Sequence, residues 1–181
     1  MGCGKSSVGK ILATLLPECR LIDLDTYIEE KQGKNIPEIF NEYGEAAFRR
    51  MEREALEEIF SDKSRPRAIL SLGGGTVTSE QCRQLIRQHT DCFYLRATTD
   101  TLLDNLEGHS DGRPMLNPTQ PVEAQSTETS SEREALRRRI ESLMQTRSPQ
   151  YLATAHHIID IDGLSFAQIA EAVEDNILNI K

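Results

Sequence analysis

The chain has 181 residues, of which 38% are hydrophobic and 28% are charged, and its 21 basic and 29 acidic side chains leave a formal net charge of −8. This length is sufficient for one domain with a sizeable core, while the excess of acidic side chains argues against a nucleic-acid binder held by phosphate contacts. No apolar run in the sequence approaches the roughly 18 residues that a membrane span requires, so no membrane partner is expected.

Short β-rich runs alternate with longer helical patterns along the chain. Strands are predicted at 20–23, 68–72, 92–95 and 157–161. Apolar spacing predicts helices at about 5–15, 35–60, 79–89, 99–106, 131–147 and 165–178. Alternation of this kind is typical of an α/β fold in which a parallel sheet is sandwiched by helices.

One internal segment, 117–132, is almost entirely polar. Its apolar side chains are Val122 and Ala124 alone, so it contributes little to a core. A long polar segment inside a compact domain is either a functional lid or a disordered insertion, and the sequence leaves both readings open.

The sharpest local motif lies at the start of the chain, where glycines precede a lysine, two hydroxyls and a predicted helix. Glycine backbone N–H groups can point at phosphate oxygens, a lysine places a cation beside the β- and γ-phosphates of a nucleotide, and the following hydroxyl can bind Mg²⁺. The pattern matches the second half of a P-loop, whose first glycine would stand five residues before Gly4, upstream of Met1. The alternative is a flexible tail before a helix. The residues concerned are Gly2, Cys3, Gly4, Lys5, Ser6 and Ser7.

Two carboxylates, Asp23 and Asp25, directly follow the first predicted strand. Ligands of open parallel sheets lie beyond the carboxyl ends of the strands, so both side chains are expected to face the phosphate-binding loop. Strand alternation predicts that they lie on the same side, one suited to a Mg²⁺ shell and the other to a substrate hydroxyl. Helix capping by Asp25 is the structural alternative.

Two further patterns could belong to the same site. Gly73, Gly74 and Gly75 follow the second predicted strand, where they allow a ligand close to the backbone or form a plain strand-to-helix turn. Arg49 and Glu52 share a helix face at i, i+3, for which a surface ion pair is the default interpretation. Neither pattern by itself identifies a function.

In this order and spacing, the motifs resemble those of the shikimate kinase family. The resemblance runs from Met1 to about Tyr151 and rests on six stretches, namely 1–10, 22–25, 44–49, 70–75, 113–116 and 147–151. It implies a P-loop kinase fold with three α/β/α layers, residues 1–181 forming a single domain, and a mobile lid at about 108–132. It also implies transfer of the γ-phosphoryl group of ATP, with Mg²⁺, to the 3-hydroxyl of shikimate, a step of chorismate and aromatic amino acid biosynthesis.

The resemblance assigns a role to each matching residue. Lys5 would hold the β- and γ-phosphates within a nucleotide-binding loop formed by residues 2–7. Ser6 and Asp23 would serve the metal, and Asp25 would bind the shikimate hydroxyls and orient or deprotonate the attacking one. Arg113, in the lid, would close on the nucleotide and the transferring phosphate. The carboxylate and ring hydroxyls of shikimate would be held by Arg49, Arg147 and the Gly73–Gly75 backbone.

Two departures from the family pattern affect these expectations. An arginine pair that commonly packs near the adenine is replaced here by Asp104-Asn105, so the base must be held differently, and the segment 117–132 is longer than the family leads one to expect. Because the P-loop motif is incomplete, the resemblance also predicts that the first, central strand of the sheet is missing from the chain as given. The 181-residue chain is therefore expected to be poorly stable and nearly inactive.

Other functions remain open at this stage. A different small-metabolite kinase of the same group, such as a gluconate kinase, would share the phosphate-binding loop and differ in the acceptor pocket. A catalytically inactive, kinase-like binding protein is the second alternative. Cys3, Cys19, Cys82 and Cys92 show no CxxC pairing, so we expect reduced thiols and a cytoplasmic location. We also expect a monomer.

Overall fold

The computed structural model describes residues 2–62, 67–106 and 128–179, and the side chains of all of these except 128–131. Helices and strands alternate along the described chain as the sequence predicts. In order, they are α1 (Lys5–Leu15), β1 (Arg20–Asp23), α2 (Leu24–Gln32), α3 (Ile36–Ser61), β2 (Ala68–Ser71), α4 (Glu80–His89), β3 (Phe93–Arg96), α5 (Thr99–Leu106), α6 (Glu128–Thr154), β4 (His157–Asp160) and α7 (Phe166–Asn179). A short 3₁₀ turn, Thr76–Thr78, lies between β2 and α4.

The four strands form two parallel pairs. Strand β1 pairs with β2, with Arg20 opposite Ala68 and Asp23 opposite Ser71. Strand β3 pairs with β4, with Phe93 opposite His157. Within the described residues the two pairs share no backbone ladder, so β2 and β3 each have one hydrogen-bonded neighbour.

Helices cover both faces of these strands, which gives the three layers that the sequence predicts. Ile69 of β2 packs into an apolar cluster formed by α1, α5, α6 and α7 together with β3 and β4. The next residue, Leu70, packs into a second cluster formed mainly by α2, α3 and α4. Successive strand residues point to opposite faces, so the two clusters lie on opposite sides of β2. The predicted parallel α/β architecture is confirmed.

Local sequence signals set several helix ends. Asn35 and Glu38 form a reciprocal capping box at the start of α3, and Ser79 caps α4 by accepting a hydrogen bond from Cys82 N. Helix α2 ends at Gly33, whose φ of 65° is left-handed. Gly44, with φ of 76°, kinks α3 and separates its first two turns from the part that carries Arg49.

The element predictions agree with the structure with three differences. Helix α2 was not predicted as an element, α6 runs seven residues beyond the predicted end, and the last residues of the polar segment 117–132 are helical. The separation of the two strand pairs agrees with the expectation that a central strand is missing from the chain as given. Arg113, most of the predicted lid at 108–132 and most of the polar segment lie outside the described residues. No helix of the described ranges has the length and apolarity to cross a bilayer.

Candidate active site

Two glycines with left-handed backbone angles lie in the predicted phosphate-binding loop, whose last residues form the start of α1. Gly2 and Gly4 have φ angles of 70° and 73°, which favour glycine because they are left-handed. The carbonyl oxygen of Gly4 accepts from Val8 N at 2.9 Å, so helical bonding begins immediately after the loop. The first backbone N–H groups of α1 have no carbonyl partner within the helix and can receive an anion, and Lys5 is the first helical residue.

Side chains from distant parts of the chain support this loop. Asn105 Nδ2 donates to the Gly2 carbonyl oxygen at 2.9 Å, so one residue of the unusual Asp104-Asn105 pair positions the phosphate-binding loop. A Cβ atom at Gly4 would lie 2.4 Å from the Phe166 ring, which therefore packs directly on the loop backbone. Lys5 Nζ lies 3.9 Å from Cys3 Sγ. Burial acts to raise the pKa of the Cys3 thiol, but the Lys5 ammonium group and nearby backbone donors outweigh it, so the pKa is lowered.

Ser6 and Asp23 are in direct contact. Ser6 Oγ donates to Asp23 Oδ2 at 3.0 Å, while Asp23 Oδ1 accepts from the backbone N–H groups of Asp25 and Thr26. Asp23 is thus the N-cap of α2, and the alternative that gave the capping role to Asp25 is wrong. The hydroxyl and carboxylate provide the hard oxygen donors that Mg²⁺ takes, so the pair fits the expected metal. The described residues contain no group of three or more His, Cys, Asp or Glu side chains positioned to hold an ion alone.

Asp25 lies in the first turn of α2, where its carboxyl group is partly buried. Because it is helical, the strand alternation used to place it beside Asp23 does not apply, although the two carboxylates do lie close enough to interact. Burial, the Asp23 carboxylate and the Glu52 carboxylate together raise the pKa of Asp25 to about 6, against the opposing charge of Lys5. A carboxylate with a pKa this close to neutrality is suited to accept a proton.

Polar side chains lie against the backbone of residues 73–75, which we call the glycine loop, and leave little room for a side chain at Gly73 or Gly75. A Cβ atom at Gly73 would lie 2.9 Å from Asp25 Oδ1 and 3.2 Å from Glu52 Oε1. At Gly75 a Cβ atom would lie 2.3 Å from Arg49 Nη2. These distances are too short for a side chain, so the glycines allow Asp25, Glu52 and Arg49 to gather around one loop.

Arg49 is held by a buried carboxylate. Its Nη1 donates to Glu52 Oε2 at 2.6 Å and its Nη2 to Glu45 Oε1 at 2.9 Å. Glu52 has no exposed surface, and its second oxygen accepts from Thr76 Oγ1 at 2.5 Å. The interpretation of Arg49 and Glu52 as a surface pair is therefore wrong. Arg49 Nε is buried and has no hydrogen-bond partner among the described residues, which leaves a donor available to a ligand.

Arg147 reaches the same loop from α6. It is 7% exposed, and its Nη1 donates to the Gly74 carbonyl oxygen at 3.4 Å. Tyr151, one turn later, donates its hydroxyl to the same oxygen at 2.6 Å. Two guanidinium groups from α3 and α6 thus converge on the glycine loop, an arrangement that suits a small carboxylate.

The structure brings most of the predicted site residues together. The 2–7 loop, Asp23 and Asp25 lie on one side, and Arg49, Arg147 and Gly73–Gly75 form the other. The contacts of Asp25 link the two groups, because Lys5 influences its pKa and Gly73 lies beside its carboxyl group. Arg113 lies outside the described residues.

Sequence reasoning gave no site role to four supporting residues. Their contacts were not visible in the sequence because each joins elements far apart in the chain. The one available signal was the i, i+3 spacing of Arg49 and Glu52. The four are Glu52, Thr76, Asn105 and Phe166.

Comparison with known families gives a match over nearly the whole chain. The family model described as shikimate kinase matches residues 1–178. A shikimate kinase of Thermus thermophilus is 33% identical over 177 residues, which cover 98% of this chain and 85% of the relative. One of Chlorobaculum tepidum is 40% identical over 151 residues, covering 83% and 73% of the two chains.

Solved structures give the same result. The chain is similar to a shikimate kinase from Acinetobacter baumannii in complex with shikimate, with a TM-score of 0.80 and 30% identity over all of this chain and 90% of the other. It is also similar to a shikimate kinase from Bacteroides thetaiotaomicron, with a TM-score of 0.80 and 28% identity over 98% and 93% of the two chains. These similarities confirm the resemblance drawn from the motifs.

Replacing Asp25 by Asn is expected to stabilise the fold at alkaline pH. With its pKa raised from 3.8 to about 6, the folded protein binds this proton more tightly than the unfolded chain. The resulting stability is fully present below about pH 4 and is lost as the pH rises through about 6. Urea unfolding should show Asp25→Asn to be about 1–2 kcal/mol more stable than the parent at pH 8 and equal to it near pH 4.

Asp23→Ala is the control for loss of a helix cap. Near pH 4, where Asp25 is protonated and the two carboxylates do not repel each other, it should lower the free energy of unfolding by about 1 kcal/mol. A loss of stability in Asp25→Asn at pH 8 would show that Asp25 has a structural role.

Replacing the buried partner of Arg49 is expected to be far more damaging than replacing the exposed one. Glu52→Gln should lower the free energy of unfolding at pH 7 by about 3 kcal/mol, because Arg49 then has no buried counter-charge. Glu45→Gln removes the other carboxylate that pairs with Arg49. Because the Glu45 side chain is 50% exposed, this variant should lower the free energy of unfolding by less than about 1 kcal/mol. Similar losses for the two variants would contradict the assignment of Glu52 as the group that holds Arg49.

Proposed function

The chain belongs to the shikimate kinase family, and we propose that it transfers the γ-phosphoryl group of ATP to the 3-hydroxyl of shikimate, giving shikimate 3-phosphate and ADP. This reaction supplies chorismate and aromatic amino acid biosynthesis. The observation that carries the proposal is the convergence of Asp25, Arg49 and Arg147 on the Gly73–Gly75 loop, beside the phosphate-binding loop. The cytoplasmic location and monomeric state stay predictions.

The nucleotide phosphates would bind at the start of α1. The N–H groups of the first helical turn would donate hydrogen bonds to the β- and γ-phosphates, and the Lys5 ammonium group would balance their negative charge. Ser6 and Asp23 would hold Mg²⁺, which when bound neutralises phosphate charge. Arg113 is proposed to close on the transferring group.

Shikimate would bind against the glycine loop. Its carboxylate would accept from Arg49 and Arg147. Arg49 Nε, which has no partner in the part of the chain that the structure describes, supports a ligand on that side chain. The Gly73–Gly75 backbone would contact the ring hydroxyls. Glu52 has no exposed surface and is already bonded to Arg49 and Thr76, so its role is to position Arg49.

Asp25 would orient the attacking hydroxyl and take its proton. With a pKa of about 6, the carboxyl group is ionised at neutral pH yet basic enough to accept a proton as the new P–O bond forms. Turnover is then expected to fall as the pH drops through about 6. Phosphoryl transfer needs mainly alignment and charge stabilisation, which Asp25 and Lys5 supply from opposite sides of the reacting atoms.

One assay of ADP release distinguishes the three candidate functions. Following ADP release with Mg-ATP and either shikimate or gluconate separates a shikimate kinase, a gluconate kinase and an inactive binding protein. Any ADP that forms should require shikimate, and none should form with gluconate. Lys5→Met should lower turnover by about 10³-fold or more, because a cation at the transferring group is worth several kcal/mol in the transition state, while shikimate binding stays unchanged. ADP formation with gluconate, or near-normal turnover of Lys5→Met, would contradict the proposal.

The two arginines should determine affinity for the acceptor. Arg49→Lys and Arg147→Lys keep the charge but lose the planar fork, so each should weaken shikimate binding by about 1–3 kcal/mol while the KM for ATP changes little. Arg53→Lys is the matched control, since Arg53 lies one turn along α3 from Arg49 and pairs with Glu57 on the surface. Equal effects on shikimate and ATP would indicate that the arginines have a purely structural role.

A further inference from the structure

The three carbonyl oxygens of the glycine loop all accept hydrogen bonds from the protein itself. Gly73 O accepts from Thr76 N at 3.2 Å. Gly75 O accepts from Thr78 N at 3.0 Å and from Thr78 Oγ1 at 2.7 Å. The carbonyl oxygen of Gly74 is bonded to side chains of α6. The acceptors of the loop are therefore turned toward the protein and away from a ligand.

The backbone donors of the same loop remain available. Among the hydrogen bonds of the described residues, none has Gly74 N or Gly75 N as its donor. The peptide that joins these two glycines is trans, so its C=O and N–H groups point in opposite directions. Because the Gly74 oxygen faces α6, the N–H of Gly75 points away from that helix. A backbone N–H in this position is available to an oxygen of a ligand.

Tyr151 is the stronger of the two partners of the Gly74 oxygen. Its hydroxyl lies 2.6 Å from that oxygen, which is a short O–H···O distance. Arg147 Nη1 lies 3.4 Å away, beyond the usual N–H···O range of about 2.7–3.2 Å. Burial raises the pKa of the Tyr151 hydroxyl against the opposing charge of Arg147, so the hydroxyl keeps its proton at neutral pH and remains a donor. The carbonyl is thus satisfied without a strong bond from Arg147.

Packing fixes the position of this hydroxyl. Tyr151 lies one turn beyond Arg147 on α6, so the two side chains extend from the same face of the helix. The Tyr151 ring packs against the ring of Tyr94 in β3, with 5.2 Å between the centroids. The Tyr94 hydroxyl interacts with the Ser148 side chain and makes no bond to the glycine loop. Of the two stacked tyrosines, only Tyr151 therefore holds the backbone of Gly74.

We propose that Tyr151 is a positioning residue for the acceptor. Its hydroxyl orients the Gly74–Gly75 peptide so that the Gly75 N–H donates to bound shikimate, and it leaves the Arg147 guanidinium available to the carboxylate. The Arg49 guanidinium also lies against Gly75, so a ligand bound by Arg49 would be within reach of this N–H. The inference rests on the proposed function, because shikimate is the ligand that the loop would bind.

The test is to measure shikimate and Mg-ADP binding to Tyr151→Phe by calorimetry. This variant removes one oxygen atom and keeps the ring that packs on Tyr94. Without the hydroxyl, Arg147 is the remaining donor to the Gly74 oxygen, and a guanidinium bonded there is withdrawn from the carboxylate. The Kd for shikimate should rise by about tenfold, while the Kd for Mg-ADP should stay within about twofold of the parent value.

Tyr94→Phe is the matched control, because it removes a hydroxyl from the other ring of the same stacked pair. Both of its dissociation constants should stay within about twofold of the parent values. Equal weakening of shikimate and Mg-ADP binding by Tyr151→Phe would show a merely structural role and overturn the proposal. The same loss of shikimate affinity in both phenylalanine variants would overturn it as well.

A double-mutant cycle tests whether Tyr151 acts through Arg147. The factor by which Arg147→Lys weakens shikimate binding should be at least about threefold smaller in the Tyr151→Phe background than in the parent, because the guanidinium is already withdrawn there. Factors that multiply independently would contradict the link between the two residues.

A readout in the ligand-free protein separates this inference from the proposed function. The backbone nitrogen resonance of Gly75 senses the hydrogen bond on the preceding carbonyl group, so it should shift in Tyr151→Phe and stay in place in Tyr94→Phe. An unchanged Gly75 resonance in Tyr151→Phe would overturn the positioning role. A parent protein that binds Mg-ADP but not shikimate would contradict the proposed function, and the Gly75 resonance would still show whether Tyr151 orients the peptide.

Discussion

The candidate site depends on one buried carboxylate. Glu52 lies in α3 without exposed surface, and a charge in that position requires compensation, which Arg49 and Thr76 provide on its two oxygens. The cluster fixes the guanidinium of Arg49 against Gly75 and the 3₁₀ turn against α3. Because each partner comes from a different element, the ion pair joins the long helix to the loop after β2 and gives that loop its shape.

The same cluster affects the chemistry of Asp25. Glu52 and Asp23 place two further negative charges near this carboxyl group, and burial removes part of its hydration, so its pKa rises to about 6. At neutral pH the ionised carboxylate of Asp25 lowers the free energy of unfolding. It is also the form that can receive a proton from a hydroxyl, so the features that suit Asp25 for the proposed proton transfer reduce the stability of the protein.

The predicted phosphate-binding loop is contacted by parts of the chain far from it. Asn105 holds the carbonyl of Gly2, and Phe166 lies on the backbone of Gly4. Cys3 and Lys5 of the loop border a cavity that Gly73 and Gly74 of the glycine loop also line. The loop is therefore contacted by α5 and by the first residue of α7, and it lies beside the glycine loop.

Much of the fold and of the candidate site follows from the sequence by itself. Apolar periodicity placed α1 and β1 at their observed bounds, and the order of the glycine, carboxylate and arginine motifs pointed to the family, because each of these signals is local. The sequence did not show α2, whose cap is Asp23, since a carboxylate after a strand fits a site as well as a helix start. Tertiary structure alone decided that Glu52 is buried, that Asn105 and Phe166 contact the predicted phosphate-binding loop, and that β1 pairs with β2 and β3 with β4. Each of these depends on packing between segments distant in the chain, and spacing along the chain carries no information about such contacts.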